Sequence, residues 1–287
     1  MPELPEVETI RRDLEKKILH RKITAVHLTE KMRIKTPSLD VCEILLNNKI
    51  VGAHRIGKLL YFELPKKLFW LVHLKMTGQL IWVKGRQSVG GGHSLRDERA
   101  SAGENKYMRA WLDFSDGSRL YFNDLRRFGY WQVVEENDLK KVLRNYGIEP
   151  LTASFIWENF KGVFVGRKTS VKALLLNQKI FSGLGNIYVD EACFLAGVRP
   201  MRRADSLTIG ERKKLFSSIK KVINKAIAKR GTTFNSFVDS DGQKGNFVKY
   251  LQVYGRSGEK CKKCKTGLIC RVKTAGRGTC YCPHCQK

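Results

Sequence analysis

Pro2, Glu3 and Glu6 stand together at the start of the chain, in the stretch MPELPEVETI. Removal of Met1 would expose the secondary amine of Pro2. A free α-amine titrates at ~7.7–8, against ~10.4 for a lysine, so part of it is unprotonated and nucleophilic at neutral pH. Such an amine attacks aldehyde carbons, and Glu3 beside it can move protons. The same residues also fit a plain helix start, with Pro5 at a first helical position and carboxylates at the positive end. Val7, Ile10 and Leu14 would then be the buried stripe. The opening stretch by itself leaves both readings open.

A second chemical cluster closes the chain. CKKC (261–264) and CPHC (282–285) are paired knuckles with the spacing of a tetrahedral zinc site, so Cys261, Cys264, Cys282 and Cys285 are the expected ligands. Cys270 and Cys280 lie outside these pairs and are read as non-ligands, with His284 as a weaker rival. So short a unit cannot build a hydrophobic core, and the metal must supply much of its folding free energy. Between the knuckles, Arg277 is flanked by Gly276 and Gly278. That suits a hairpin tip bringing backbone and guanidinium close to a phosphate.

The whole chain must position these groups. Its 287 residues are 42% hydrophobic, enough for packed cores and for two domains with a small appendage. Lys and Arg number 54 against 27 Asp and Glu, a formal charge of +27. That excess implies a polyanionic partner, nucleic acid first and an anionic membrane surface second. No apolar run is long enough to span a membrane and no signal pattern opens the chain, so a cytoplasmic protein is expected. Its 8 cysteines should then be reduced, which again favours metal over disulfides.

The first half reads as β-rich after the opening helix. ITAVHL (23–28) and FWLVHLKM (69–76) alternate, the latter with Trp70, Val72, Leu74 and Met76 on one face. MRAWLDFSDGSRLYF (108–122) is a hairpin signature around Asp116-Gly117, and YWQVV (130–134) continues the sheet. The Gly-rich, charged stretch 84–106 reads as a mobile surface loop. Together these favour a two-sheet sandwich or barrel. After about residue 136 the pattern turns helical. ENDLKKVLRNYG (136–147) predicts one helix. The clearest runs from a Thr208/Glu211 capping box through Leu215, Ile219, Val222, Ile223, Ala226 and Ile227 to Gly231.

Five separated stretches resemble the formamidopyrimidine-DNA glycosylase family of DNA repair: MPELPEVET, RIGKLLYFEL (55–64), LRRFGYW (125–131), GLGNIYVDEACF (183–194) and the terminal CxxC…GRGTCYCPHCQ, in the family's order. The resemblance implies an α+β multidomain fold. Residues 1–135 would form a catalytic β-sandwich with its N-terminal helix, and 136–235 a helical helix–two-turn–helix domain. A lesion loop would span about 231–247, and 255–287 would form a zinc hairpin. Pro2 would attack C1′ of a damaged nucleotide and Glu3 would move protons. Lys58 would act in base release and β-elimination, and Arg277 would hold phosphate through a second elimination. Glu6 would approach the extruded base. Met76, Arg126 and Phe128 match the intercalating trio. Arg127, Asn186 and Lys172, with Lys168 and Arg109, match backbone-contacting positions. The resemblance also implies one structural Zn2+, double-stranded damaged DNA as partner, no small-molecule cofactor, no membrane and a monomer.

Three departures bear on substrate range. Arg109 stands where many relatives carry histidine, Asn177 replaces a frequent aspartate, and Asn235-Ser236 replace a basic–acidic pair in the lesion loop. Oxidised purines are the expected substrates, chiefly 8-oxoguanine opposite cytosine and formamidopyrimidines. An endonuclease VIII-like enzyme for oxidised pyrimidines is the nearest rival, and a non-catalytic zinc-ribbon nucleic-acid binder the rival from another class.

Overall fold

The computed structural model describes residues 2–92, 105–232 and 247–287. They form two compact units, the first from residues up to 144 with 229–232, the second from 145–228 with 247–287. The first boundary therefore falls later than 135, because helix α3 (Glu136–Leu143) buries Leu139 on the first unit. The chain returns to that unit at 229–232, where Arg230 pairs with Asp13 at 2.5 Å. The helical and cysteine-bearing segments, expected as separate domains, form one unit.

In the first unit, helix α1 (Leu4–Ile18) carries Pro5 in its first turn and buries Leu4, Val7, Ile10, Leu14 and Ile18, and the short helix α2 (Val41–Leu45) buries Val41 and Leu45. A five-stranded antiparallel sheet runs β1 (Ile23–Leu28), β7 (Met108–Phe114), β8 (Arg119–Asp124), β5 (Gly78–Lys84), β6 (Gln87–Gly92). A four-stranded one runs β2 (Gly52–Ile56), β3 (Leu59–Leu64), β4 (Leu68–His73), β9 (Tyr130–Glu135). Phe62, Trp70, Val72 and Trp131 of the second sheet share one core with Leu80, Leu112, Leu120 and Phe122 of the first. Trp131 lies 5.8 Å from Phe122 across it. The Asp116-Gly117 turn joins β7 and β8, with Gly117 at φ +78°.

Two expectations are corrected here. Strand β4 stops at His73, because Lys75 takes φ +50° and the Gly78 N–H bonds to Leu74 O at 2.8 Å. Met76 therefore sits on a turn and leaves the face of Trp70, Val72 and Leu74. The Gly-rich stretch is not wholly loop, since Gln87–Gly92 pair with β5. Glycine is needed there because a Cβ on Gly91 would lie 2.1 Å from Ile10 Cγ1 of α1. The remainder of that stretch, 93–104, lies outside the described residues.

The second unit holds α4 (Trp157–Gly162), α5 (Val171–Leu176), α6 (Asn186–Ala196) and α7 (Ile209–Ala228), then the hairpin β10 (Cys270–Thr274) and β11 (Arg277–Tyr281). The α7 cap forms as its spacing predicts: Thr208 N donates to Glu211 Oε2 at 2.8 Å, and Glu211 N to Thr208 Oγ1 at 3.2 Å. Leu215, Ile219, Val222, Ile223 and Ala226 are buried, and Ile227 is half-buried. Among the described residues no helix is long and apolar enough to cross a membrane.

Candidate active site

The α1 start is built around carboxylates. Pro2 is buried, as is Glu3, and the Glu3 N–H donates to Glu6 Oε2 at 2.9 Å. Glu6 Oε1 accepts from the Thr232 N–H at 2.7 Å and from its hydroxyl at 3.0 Å. A Cβ on Gly231, whose φ is +81°, would come within 2.7 Å of Glu6 Oε1. Glu6, expected to approach an extruded base, thus caps the helix start with Oε2 and holds Thr232, at the head of the 231–247 segment, with Oε1. Beyond Thr232 that segment, with Asn235 and Ser236, lies outside the described residues.

Lys58, in the RIGKLLYFEL stretch that resembles the family's lysine-bearing strand, occupies instead the two-residue turn Gly57-Lys58 between the paired Ile56 and Leu59. Gly57 supplies φ +55° there, and Lys58 is only 7% exposed. Arg55 fixes this turn, donating from Nε to Glu8 Oε2 and from Nη1 to Gly57 O, each at 3.0 Å. Glu8 also accepts from Arg11 and Arg12. Burial alone would raise the Glu8 pKa, but these three guanidiniums overcome it and hold the carboxyl down at about 2. Glu8 and Arg55 are not singled out by sequence, although the i,i+3 and i,i+4 spacing of Glu8 to Arg11 and Arg12 marks a carboxylate with partners.

A cationic group missed by sequence lies on the same unit. His73 Nδ1 accepts the Lys75 N–H at 3.0 Å, so the other ring nitrogen carries the proton. Burial, reinforced by Lys75, Lys58 and Lys35, lowers the His73 pKa to about 3 and keeps the ring neutral. Lys35 and Lys75 lie 5.3 and 5.6 Å from the Tyr130 ring centre. The alternating cations of KMRIK (31–35) are the sequence signal that announces this group.

The stretch 125–129, which the resemblance implies is a wedge, is exposed at Leu125, Arg126, Arg127 and Phe128, with Phe128 44% exposed and the Arg126 guanidinium 4.7 Å over its ring. Arg127 takes φ +59°. Arg109, expected to face the DNA backbone, is 5% exposed and donates to the carbonyls of Asp124 (3.0 Å), Met108 (3.0 Å) and Lys106 (3.2 Å). Its guanidinium thus fixes the carbonyl of Asp124, the residue that leads into the 125–129 stretch.

In the second unit Lys168 is exposed. Lys172 is wholly buried: its Nζ bonds to Asp190 Oδ1 at 2.7 Å and to Gly278 O at 3.1 Å. Expected at a backbone-contacting position, it is spent here on partners inside the unit, as a strut. Asn186 Nδ2 donates to the same Gly278 carbonyl at 3.1 Å. Asp190 Oδ2 accepts the Cys280 N–H at 2.8 Å, so α5, α6 and β11 are locked together. Burial outweighs Lys172 and raises the Asp190 pKa to about 6. Glu191 gathers the N–H groups of Gln252, Val253 and Tyr254 at 2.9–3.1 Å. Asn177 Oδ1 accepts the Lys179 N–H at 3.0 Å just past α5. Arg277 is exposed beside the Ala275-Gly276 turn.

Cys261, Cys264, Cys282 and Cys285 bring their sulfurs within 4.8 Å of one another. Cys261–Cys285 and Cys264–Cys282 are each 3.8 Å apart. Metal–sulfur bonds of about 2.3 Å in a tetrahedron set edges of that length, so the four fit a single ion. The Gly267 N–H leads in lowering the Cys264 pKa to about 5, while burial and the neighbouring sulfurs push Cys285 up to about 12. Four converging thiols are a soft donor set chemically suited to Zn2+ once deprotonated. Cys280 packs with Phe194, Val253 and Ile269, and His284 contacts Thr266; neither joins the cluster.

Comparison with known proteins fits this geometry. Residues 1–131 match the formamidopyrimidine-DNA glycosylase N-terminal domain, and residues 146–238 that family's H2TH domain. The formamidopyrimidine-DNA glycosylase of Heliobacterium modesticaldum is 39% identical with both chains covered in full, and that of Pelotomaculum thermopropionicum 37% identical, covering 100% of this chain and 99% of its own. Among solved structures, the Lactococcus lactis enzyme bound to DNA containing an abasic site is 31% identical at a TM-score of 0.86, with 99% of each chain covered. The wild-type enzyme on N7-benzyl-Fapy-dG DNA is 32% identical at 0.85, with both chains covered in full. With full-length relatives above 30% identity and two domain matches in order, the chain belongs to the formamidopyrimidine-DNA glycosylase family.

Proposed function

We propose that this chain is a bifunctional glycosylase and abasic-site lyase that removes oxidised purines, chiefly 8-oxoguanine opposite cytosine and formamidopyrimidines, from double-stranded DNA. The observation that carries the reading is the Glu8–Arg55–Gly57 linkage, which fastens the turn bearing Lys58 to the helix that starts behind Pro2 and Glu3. A nucleophile and a proton-transfer group need such fixed mutual placement. Related structures hold DNA with an abasic site or a formamidopyrimidine.

Once Met1 is removed, the Pro2 nitrogen forms a bond to C1′ as the bond from C1′ to the base breaks and the base departs with a proton. Opening of the sugar ring leaves an iminium, which cannot shed its charge by losing an N–H proton and so remains an electron sink. Glu3 moves protons in ring opening and in loss of the C2′ proton, which expels the 3′ phosphate. Lys58 serves base release and this first elimination, and Arg277 holds phosphate during the second, which expels the 5′ phosphate.

Extruding the base costs on the order of a few kcal/mol. Met76 and Phe128 fill the space, and Arg126 donates to the orphaned cytosine. Exposed Lys168, Arg127 and the Lys35–Lys75 group, with neutral His73 as a donor, neutralise or hold phosphates. Cys261, Cys264, Cys282 and Cys285 would hold a zinc ion, which would supply much of the folding free energy of the hairpin that carries Arg277. The enzyme works as a monomer in the cytoplasm. Borohydride trapping on 8-oxoguanine and thymine glycol duplexes tests this reading: preferential trapping on the former supports it, preference for thymine glycol marks a pyrimidine enzyme, and no trapping on either marks a non-covalent binder.

A further inference from the structure

Thr77 and Asp124 join two turns that the chain keeps far apart in sequence. Thr77 follows Met76 on the turn closed by the Gly78–Leu74 hydrogen bond, and Asp124 ends β8 just before the wedge stretch. The Thr77 hydroxyl donates to Asp124 Oδ1. The Arg126 N–H donates both to Thr77 Oγ1 at 3.0 Å and to Asp124 Oδ1 at 3.2 Å, and the Gly129 N–H to Asp124 Oδ2 at 2.7 Å. Asp124 is 1% exposed and Thr77 7%, so water competes poorly for these bonds.

The fit is close on every side. A Cβ on Gly129 would lie 2.8 Å from the Phe122 ring and 3.0 Å from Asp124 Oδ2. The backbone of Asp124 is itself held, its N–H by Tyr107 O at 2.8 Å and its carbonyl by buried Arg109 at 3.0 Å. The bonds to Arg126 N and Gly129 N bracket Arg127, whose left-handed conformation carries a cost that surrounding contacts must offset. One carboxylate and one hydroxyl thus set where Met76, Arg126 and Phe128 begin.

We propose that Thr77 and Asp124 are positioning residues that make Met76, Arg126 and Phe128 enter the duplex as one preset unit. This rests on the reading of that trio as void-filling. A rigid trio has its ordering entropy settled before the base leaves the stack, whereas an untethered one must be ordered during extrusion. The effect belongs to substrates that need a base expelled, and it acts through the trio rather than on the reacting sugar.

The test uses the full-length enzyme with Thr77→Val, which keeps shape but removes the hydroxyl, and Thr77→Ser, which restores it. Single-turnover rates are read on an 8-oxoguanine–cytosine duplex and on a pre-formed abasic duplex. Thr77→Val should slow the lesion duplex about tenfold and the abasic duplex less than about twofold, with Thr77→Ser near wild type. Added to Phe128→Ala, it should slow the lesion duplex by clearly less than it slows wild type, since part of its effect acts through Phe128. Equal slowing on both substrates would mark a general loss of structure and overturn the proposal. So would full additivity, or a Thr77→Val enzyme as fast as wild type. Phe128→Ala alone checks the underlying reading: if it fails to separate the two substrates, the trio reading falls. If it separates them and Thr77→Val does not, only the positioning role falls.

Discussion

Lys172 Nζ lies 2.7 Å from Asp190 Oδ1, and neither side chain has any exposed surface. Removing one member of such a pair leaves a buried charge alone, at a cost of about 3–5 kcal/mol. Lys172→Met should therefore lower the thermal stability of the second unit sharply. Combining it with Asp190→Asn, which can still accept the Cys280 N–H, should recover much of the loss. Calorimetry of the two variants decides; an unchanged Lys172→Met transition would mean that the strut is dispensable.

Glu8 predicts an acid-dependent stability. Its folded pKa of about 2 lies below the ordinary carboxyl value of ~4.3, so the unfolded state binds the proton more readily. Its stabilisation is full above that ordinary value and is lost as pH falls through the window down to about 2. Glu8→Gln should remove this part of the pH dependence, converging with wild type at the acid end. Denaturant titrations across the window measure it, and parallel curves for the two proteins would refute it.

The cysteine cluster predicts one zinc per chain by elemental analysis. A strong chelator, or Cys261→Ser or Cys285→Ser, should unfold the β10–β11 hairpin, because three ligands do not complete the tetrahedron. DNA affinity should fall while the β-sheet signal of the first unit persists. Tight binding by a metal-free protein would count against the hairpin's part in holding DNA.

Arg126 and Phe128 should separate reading from wedging. An inserted arginine can donate to cytosine O2 and N3, and one good base contact is worth about 1–3 kcal/mol of discrimination. Arg126→Ala should slow excision opposite cytosine and narrow the advantage over adenine. Phe128→Ala should slow both pairs alike. If the cytosine-to-adenine rate ratio survives Arg126→Ala, Arg127 becomes the reading residue.

What the sequence discloses is what local spacing encodes. The paired knuckles converge as four sulfurs, Thr208 and Glu211 cap α7 reciprocally, and Asp116-Gly117 turns the β7–β8 hairpin. Each signal spans a few residues and needs no knowledge of distant partners. Lys172, Arg109 and Glu6 are different. The two cations suit a DNA backbone and Glu6 a base, yet Asp190, the Asp124 carbonyl and Thr232 claim them. Such partners are brought close only by tertiary folding, so a long cation reads the same whether it becomes a contact or a brace. The glycines of β6 mislead similarly, because only the packing of Ile10 against Gly91 explains why a strand should lack side chains.

Mapping the borohydride-reduced adduct on an abasic duplex by peptide mass spectrometry tests the role of Pro2 most directly. With Met1 removed, the deoxyribose-derived mass should reside on Pro2, and a protein carrying extra residues before Pro2 should give no adduct. An adduct of equal yield in the extended protein, mapped to Lys58, would contradict the N-terminal amine as nucleophile.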